Sequence, residues 1–184
     1  MKIITIIKKI NLPTNPKISV LKRYKCIVII TIAFLYPISN YGQEVSELKK
    51  YMDQSKSSEN PSIVEESTHL NELISDLNSS VLIKKGILNT YSNAPFTRAI
   101  IDAYSIQKIP AATAYLKDVE LLIIRMEKPD DLSIAIDESI INQFSKLKYV
   151  YFLCSFNCTS VKIENLIKYK NTRIKFLYSI SIPS

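Results

Sequence analysis

Leu147-Lys-Tyr-Val-Tyr-Phe-Leu-Cys-Ser155 lies between two stretches that match it in type. Val119-Glu-Leu-Leu-Ile-Ile-Arg-Met-Glu127 begins 28 residues before it, and Ile174-Lys-Phe-Leu-Tyr-Ser-Ile-Ser-Ile182 begins 27 residues after it. Overlaid, Val119, Leu147 and Ile174 coincide, as do Leu122, Val150 and Leu177. The later two also share Lys148 with Lys175, Tyr149 with Phe176 and Tyr151 with Tyr178. Each is a short apolar run rich in β-branched and aromatic residues, which reads as a strand. A constant spacing of this size marks a repeat, in which one unit buries its apolar face against the next.

The gaps between the runs carry helical stripes. Ile140, Ile141, Phe144 and Leu147 share one face of a helix of about two turns, with Asp137 and Glu138 at its positive end. Thr159-Ser160 caps a second short helix with the stripe Ile163, Leu166 and Ile167. Strand, helix, strand, helix, strand in such short units predicts a parallel sheet, because parallel strands need crossover connections. Leu116 and Val119 repeat Phe144 and Leu147 at the same offset of 28, so the lead-in from Ile109 belongs to the array.

On these residues the chain resembles the leucine-rich repeat family, whose core pattern is L-x-x-L-x-L-x-x-N/C-x-L. Val119, Leu122 and Ile124 fill the three apolar positions of one repeat, and Leu147, Val150 and Phe152 those of the next. The third unit supplies Ile174 and Leu177 but has Ser179 at the third position. Glu127, Ser155 and Ile182 stand where the family has its Asn or Cys ladder. The resemblance covers about residues 109–184 and implies an α/β fold, a short βα solenoid with parallel strands. A small three-layer α/β domain with evenly spaced strands is the competing reading.

Upstream, residues 44–108 read as a mainly helical segment. Glu44–Asp53 suggests a first helix, and Ser62-Ile-Val-Glu65 behind Pro61 a capping box. Leu70, Leu73, Ile74 and Leu77 form a helical stripe, and Val81–Lys84 starts either a strand or another helix. After Pro95, Phe96, Ala99, Ile100 and Ala103 predict one helix face. With Gly42 and Gly86 the only glycines, left-handed turns should be few or fall to Asn and Asp.

The formal charge of +7 resides in the first 43 residues, which hold seven basic side chains and no acidic one. From Glu44 onward 17 basic face 17 acidic residues, so no basic footprint for nucleic acid is expected. The basic start leads into Cys26–Tyr36, eleven uncharged residues, and then a small-residue exit. That order is a secretory signal peptide with cleavage after Gly42 or Gln43. A membrane span needs about 20 apolar residues, so no permanent anchor is expected after cleavage. The protein is therefore expected in the periplasm, on the cell surface or in the medium.

Export leaves Cys154 and Cys158, for which a disulfide, two buried thiols, and a redox or metal role are all open. In one straight strand their Cα atoms would lie about 13 Å apart, too far for a bridge unless Ser155–Asn157 turns back. His69 is the only histidine and reads as a solvated helix residue. No Gly-rich phosphate loop, catalytic set, metal motif or cofactor motif is found.

Two functions compete. In the resembling family the strand residues between the inward positions line a binding face. Here that face would carry Leu121, Ile123 and Arg125; Tyr149, Tyr151 and Leu153; and Phe176, Tyr178 and Ile180. Leu121, Tyr149 and Phe176 should align across it, as should Ile123, Tyr151 and Tyr178. Interleaved Tyr and Lys favour an open or partly open face contacting a protein or peptide, with the helix of Leu70, Leu73, Ile74 and Leu77 as the cover otherwise. The alternative is a small exported enzyme of hydrolase type with an unrecognised site.

Overall fold

The central strands do not alternate between apolar and polar residues, because the sheet they form is covered on both sides. The computed structural model describes residues 44–75, 78–90, 95–109, 114–169 and 173–182. The leader expected over residues 1–43, Leu77, and Pro110–Thr113 of the first lead-in lie outside them.

The chain runs β1 (Val45–Glu47), α1 (Leu48–Lys56), α2 (Pro61–Ser75), β2 (Ser80–Lys84), β3 (Ile87–Thr90) and β4 (Arg98–Asp102). It continues through β5 (Leu121–Met126), α3 (Glu138–Ile141), β6 (Tyr149–Cys154), α4 (Ser160–Glu164) and β7 (Lys175–Ile180). Turns of 3₁₀ helix occupy Ala103–Lys108 and Pro129–Ser133. The seven strands make one sheet in the order β1-β7-β6-β5-β4-β2-β3, parallel except for the β2–β3 hairpin. The fold is thus α/β, with β5, β6 and β7 parallel and adjacent in sequence order.

All three crossovers between β4 and β7 pack on one face. Leu122, Ile124, Val150, Phe152 and Phe176 point into it, meeting Leu116 and Val119, Ile140 and Phe144, and Ile163 and Leu166. Successive crossovers are themselves bonded: the Ile136 N–H donates to the Leu166 carbonyl at 2.7 Å, and the Lys168 N–H to the Ile136 carbonyl at 2.8 Å. Asp137 caps α3 by accepting from the Ile140 N–H at 3.2 Å, and Thr159 caps α4 from the Lys162 N–H at 3.4 Å. The opposite face carries Leu121, Ile123, Tyr149, Tyr151 and Leu177, covered by Leu70 and Leu73 of α2 and flanked by Leu48, Tyr51 and Met52 of α1.

Several expectations are corrected. The third strand is in a different register: Tyr149 pairs with Lys175 and Tyr151 with Leu177. Phe176 and Tyr178 therefore point to the crossover face, since a one-residue slip moves every side chain to the other side. In this register Tyr178 pairs with Phe152 in the row that Ile124 begins, so the misplaced Ser179 no longer interrupts the apolar series.

Residues 44–108 hold α1 and α2 but also supply four strands. Residues 98–102 form β4 instead of a helix, with Ala99 and Ile101 buried on one face and Ile100 half-buried on the other. Pairing with β2 and β5 satisfies its backbone on both sides, which outweighs a weak helical period. Val45–Glu47 is likewise drawn from helix to strand by pairing with Phe176–Tyr178. Asn60, not Ser62, caps α2, its Oδ1 accepting from the Ser62 N–H at 3.1 Å. The β2–β3 turn places Lys85 at φ 54° and Gly86 at φ 78°, so a lysine bears the left-handed position. Asp102 and Ser105 hold that turn by accepting from the N–H groups of Lys85 and Gly86.

Candidate functional site

Two places on the sheet gather polar side chains or leave apolar ones uncovered. The first lies at the amino ends of β5, β6 and β7, beneath α2. Glu120 and Lys148 lie level at the starts of β5 and β6, Lys175 begins β7 opposite Tyr149, and the Lys148 and Lys175 N–H groups donate to the Glu120 and Lys148 carbonyls. Glu120 Oε2 meets Lys148 Nζ at 2.8 Å and His69 Nε2 at 2.8 Å. One helical turn away, Glu66 Oε2 accepts from Lys175 Nζ at 2.7 Å, and Lys175 Nζ also donates to the Tyr51 hydroxyl at 3.1 Å. The Tyr149 hydroxyl donates to the Glu66 carbonyl at 3.3 Å. At the far end of α2, Arg98 Nη1 donates to the Leu73 and Ile74 carbonyls at 3.1 and 2.9 Å, satisfying acceptors that a helix end leaves free. Beside this cluster an open hollow of about 710 Å³ is lined by Ser62, Glu66, His69, Glu72, Lys148 and Tyr149.

The electrostatics describe a clamp. Burial raises the Glu120 pKa, but hydrogen bonds and charge from Lys148 and His69 together outweigh it and hold the carboxyl below its ordinary range. Burial, then the Glu66 carboxylate, pushes the Tyr149 phenol well above its usual value. Partly exposed ion pairs are worth about 0.2–1 kcal/mol each, whereas fully burying a leucine side chain yields about 1.5–3 kcal/mol. Leu70 and Leu73 thus supply most of the adhesion of α2, and the charged pairs set its position along the strands. Both nitrogens of His69 face carboxylates, Glu120 at 2.8 Å and Glu72 at 3.9 Å. His69 is 39% exposed, as expected of a solvated helix residue, and its Nε2 also lies at hydrogen-bond distance from Glu120.

Glu120→Gln is expected to cost about 1 kcal/mol at pH 7, the order for such a network. The folded state holds Glu120 below its ordinary value of 4.5. Its contribution is therefore present above about pH 4.5 and is lost as the pH falls through the folded pKa. Urea midpoints of the two proteins should differ at pH 7 and converge as the pH falls through the folded pKa; a constant difference would show that Glu120 does not clamp.

The second place is the carboxyl rim. Asp102, Arg125, Leu153 and Ser179 form one register row across β4 to β7 on the face that α2 covers. Arg125 is exposed and Leu153 half-buried, while the preceding row of Ile123, Tyr151 and Leu177 is closed. The Tyr151 hydroxyl reaches up to the Ser179 Oγ at 2.5 Å.

Of the nine residues assigned to the sheet face, Leu121, Ile123, Tyr149 and Tyr151 are buried beneath α2. Phe176, Tyr178 and Ile180 project from the opposite face, the first buried, the second half-buried and the third exposed. Arg125 and Leu153 remain accessible where expected. Cys154 and Cys158 are both buried, with their sulfurs 2.7 Å apart. Among the described residues no group of three His, Cys, Asp or Glu could hold a metal ion.

Sequence reasoning did not identify the clamp, yet part of it was available. Glu120 and Lys148 follow directly on Val119 and Leu147 in the overlay, so opposite charges fall side by side on neighbouring strands. Glu66, Tyr51 and Arg98 had no such marker. No family model, curated protein or solved structure matches the chain.

Proposed function

We propose that the chain is an exported protein–protein interaction module, built as a divergent leucine-rich-repeat-like βα solenoid and binding a protein or peptide at the carboxyl rim of its sheet. The observation that carries this reading is the exposed Arg125 beside the half-buried Leu153, at the end of a face whose preceding row of Ile123, Tyr151 and Leu177 is buried. Open parallel sheets present their ligand sites outside the carboxyl ends of the strands. An arginine beside an aliphatic side chain suits a protein contact. The repeat reading is supported by the run β4 to β7 in sequence order, by crossovers on one face, and by the bridge between Ile136 and Ile167. Export is supported by the order of charge and hydropathy in residues 1–43. No described helix is long and apolar enough to cross a membrane.

The test is capture by the tagged full chain from its own cells. The species outside the cytoplasm should begin at Gln43 or Glu44 by intact mass. Wild type should retain a partner that Arg125→Glu combined with Leu153→Asp loses by tenfold or more, with the denaturant midpoint nearly unchanged. Undiminished capture by the double variant would end the rim reading, and an external species retaining Met1 would end the export reading.

A further inference from the structure

We propose that Cys154 and Cys158 form a disulfide that ties the carboxyl end of β6 to the start of α4, and that the bond is made during folding and then sealed. The backbone holds both ends in place independently. Cys154 is the last residue of β6, paired with Met126 on one side and Ile180 on the other, and its carbonyl accepts from the Ser181 N–H at 2.8 Å. Cys158 directly precedes Thr159, the cap of α4, so the chain has turned back within four residues. Along a continuing strand the two Cα atoms would lie about 13 Å apart. The turn instead brings the two thiols, both free and buried in this structure, together with their sulfurs 2.7 Å apart, so that only a small approach separates them from a bond.

The surroundings leave the pair little other chemistry. Cys154 is 0% and Cys158 6% exposed, and both belong to the apolar cluster of Met126, Phe152, Ile163 and Phe176, with Phe156 and Tyr178 against it. No third ligand for a metal stands beside them among the described residues. Burial, and next the hydrogen bond from Cys158, raise the Cys154 pKa well above its ordinary value, so the attacking thiolate is suppressed once the core has closed. The inference rests on the position of the two side chains and not on export.

The oxidant is a small-molecule disulfide. One cysteine thiolate attacks it, forming a mixed disulfide and releasing one thiol. The other cysteine thiolate attacks the mixed disulfide and releases the second. One S–S bond breaks and one forms, two S–H protons pass to the released thiols, and the two electrons reside in the reduced reagent. The step needs exposed sulfurs, which places it before closure of the core.

The full chain is reduced in denaturant and refolded in oxidised and reduced glutathione. It is then alkylated in denaturant without reductant and cut with trypsin. No Lys or Arg lies between Tyr149 and Lys162, so both cysteines fall on one peptide, separate from Cys26. That peptide should carry no alkyl group and be lighter than its reduced form by two hydrogens. A doubly alkylated peptide, or a bridge from either cysteine to Cys26 or a second chain, would overturn the bond. Chain refolded reduced and given oxidised glutathione only afterwards should form it at least tenfold more slowly. Equal rates would overturn its formation ahead of closure.

Discussion

Tyr151→Glu is expected to destabilise the protein by about 3–5 kcal/mol, the cost of leaving a charge buried without its partner. Tyr151 is 7% exposed in the middle of β6, between Ile123 and Leu177 on the neighbouring strands. Its ring belongs to the apolar cluster of Leu70, Leu73 and Leu121, and its hydroxyl is satisfied by Ser179. A glutamate would give up the aromatic area and bring a carboxylate into a row whose neighbours are aliphatic. The rows on either side carry Arg98 and Lys175, already engaged with the α2 carbonyls and with Glu66, and Arg125, which is exposed at the rim. The measurement is urea unfolding of wild type, Tyr151→Glu and Leu153→Asp. Leu153, two residues along and half-buried at the rim, should cost much less than Tyr151. A small effect at Tyr151 would mean that α2 does not seal this face.

The contrast between those two positions shows where the sequence was legible. Spacing of 27 to 28 residues sufficed to find β5, β6 and β7, because equivalent apolar residues must recur wherever successive crossovers share a core. It did not fix the third register. Phe176, Leu177 and Tyr178 are all large, so the stretch offers no polar residue to say which face is which, and Ser179 misled the overlay. The same ambiguity hid β4. A strand covered on both faces loses its two-residue alternation, and Phe96, Ala99, Ile100 and Ala103 then happen to fit a helix. Whether α2 covers the sheet was open for a different reason. It depends on long-range contacts such as Tyr149 with Glu66, 83 residues apart, which no local pattern encodes. Glycine scarcity predicted few left-handed turns, but the Lys85–Gly86 hairpin shows that a lysine accepts one when β4 holds the turn from outside.

Leu70→Ala should be the most informative single truncation, with a loss of about 2–5 kcal/mol. Leu70 is 0% exposed and lies on the face of α2 that meets Leu121, Ile123, Tyr149 and Tyr151. It sits one residue from His69 and one turn from both Glu66 and Leu73, so it is flanked by the contacts that position the helix. The clamp is too weak to hold α2 alone, because its exposed pairs contribute about 0.2–1 kcal/mol each. Losing the leucine removes most of the transfer free energy of that side chain and leaves a cavity that a helix pinned at Glu66, His69 and Arg98 is slow to collapse into. Two readouts separate this account from a general weakening of the core. The denaturant midpoint should fall while the slope changes little, as for a fold still unfolding as one unit. Amide exchange should accelerate first in α2, with β5 and β6 retaining their protection. Equal acceleration in α2 and the central strands would mean that the helix is no separate cover but is inseparable from the sheet core.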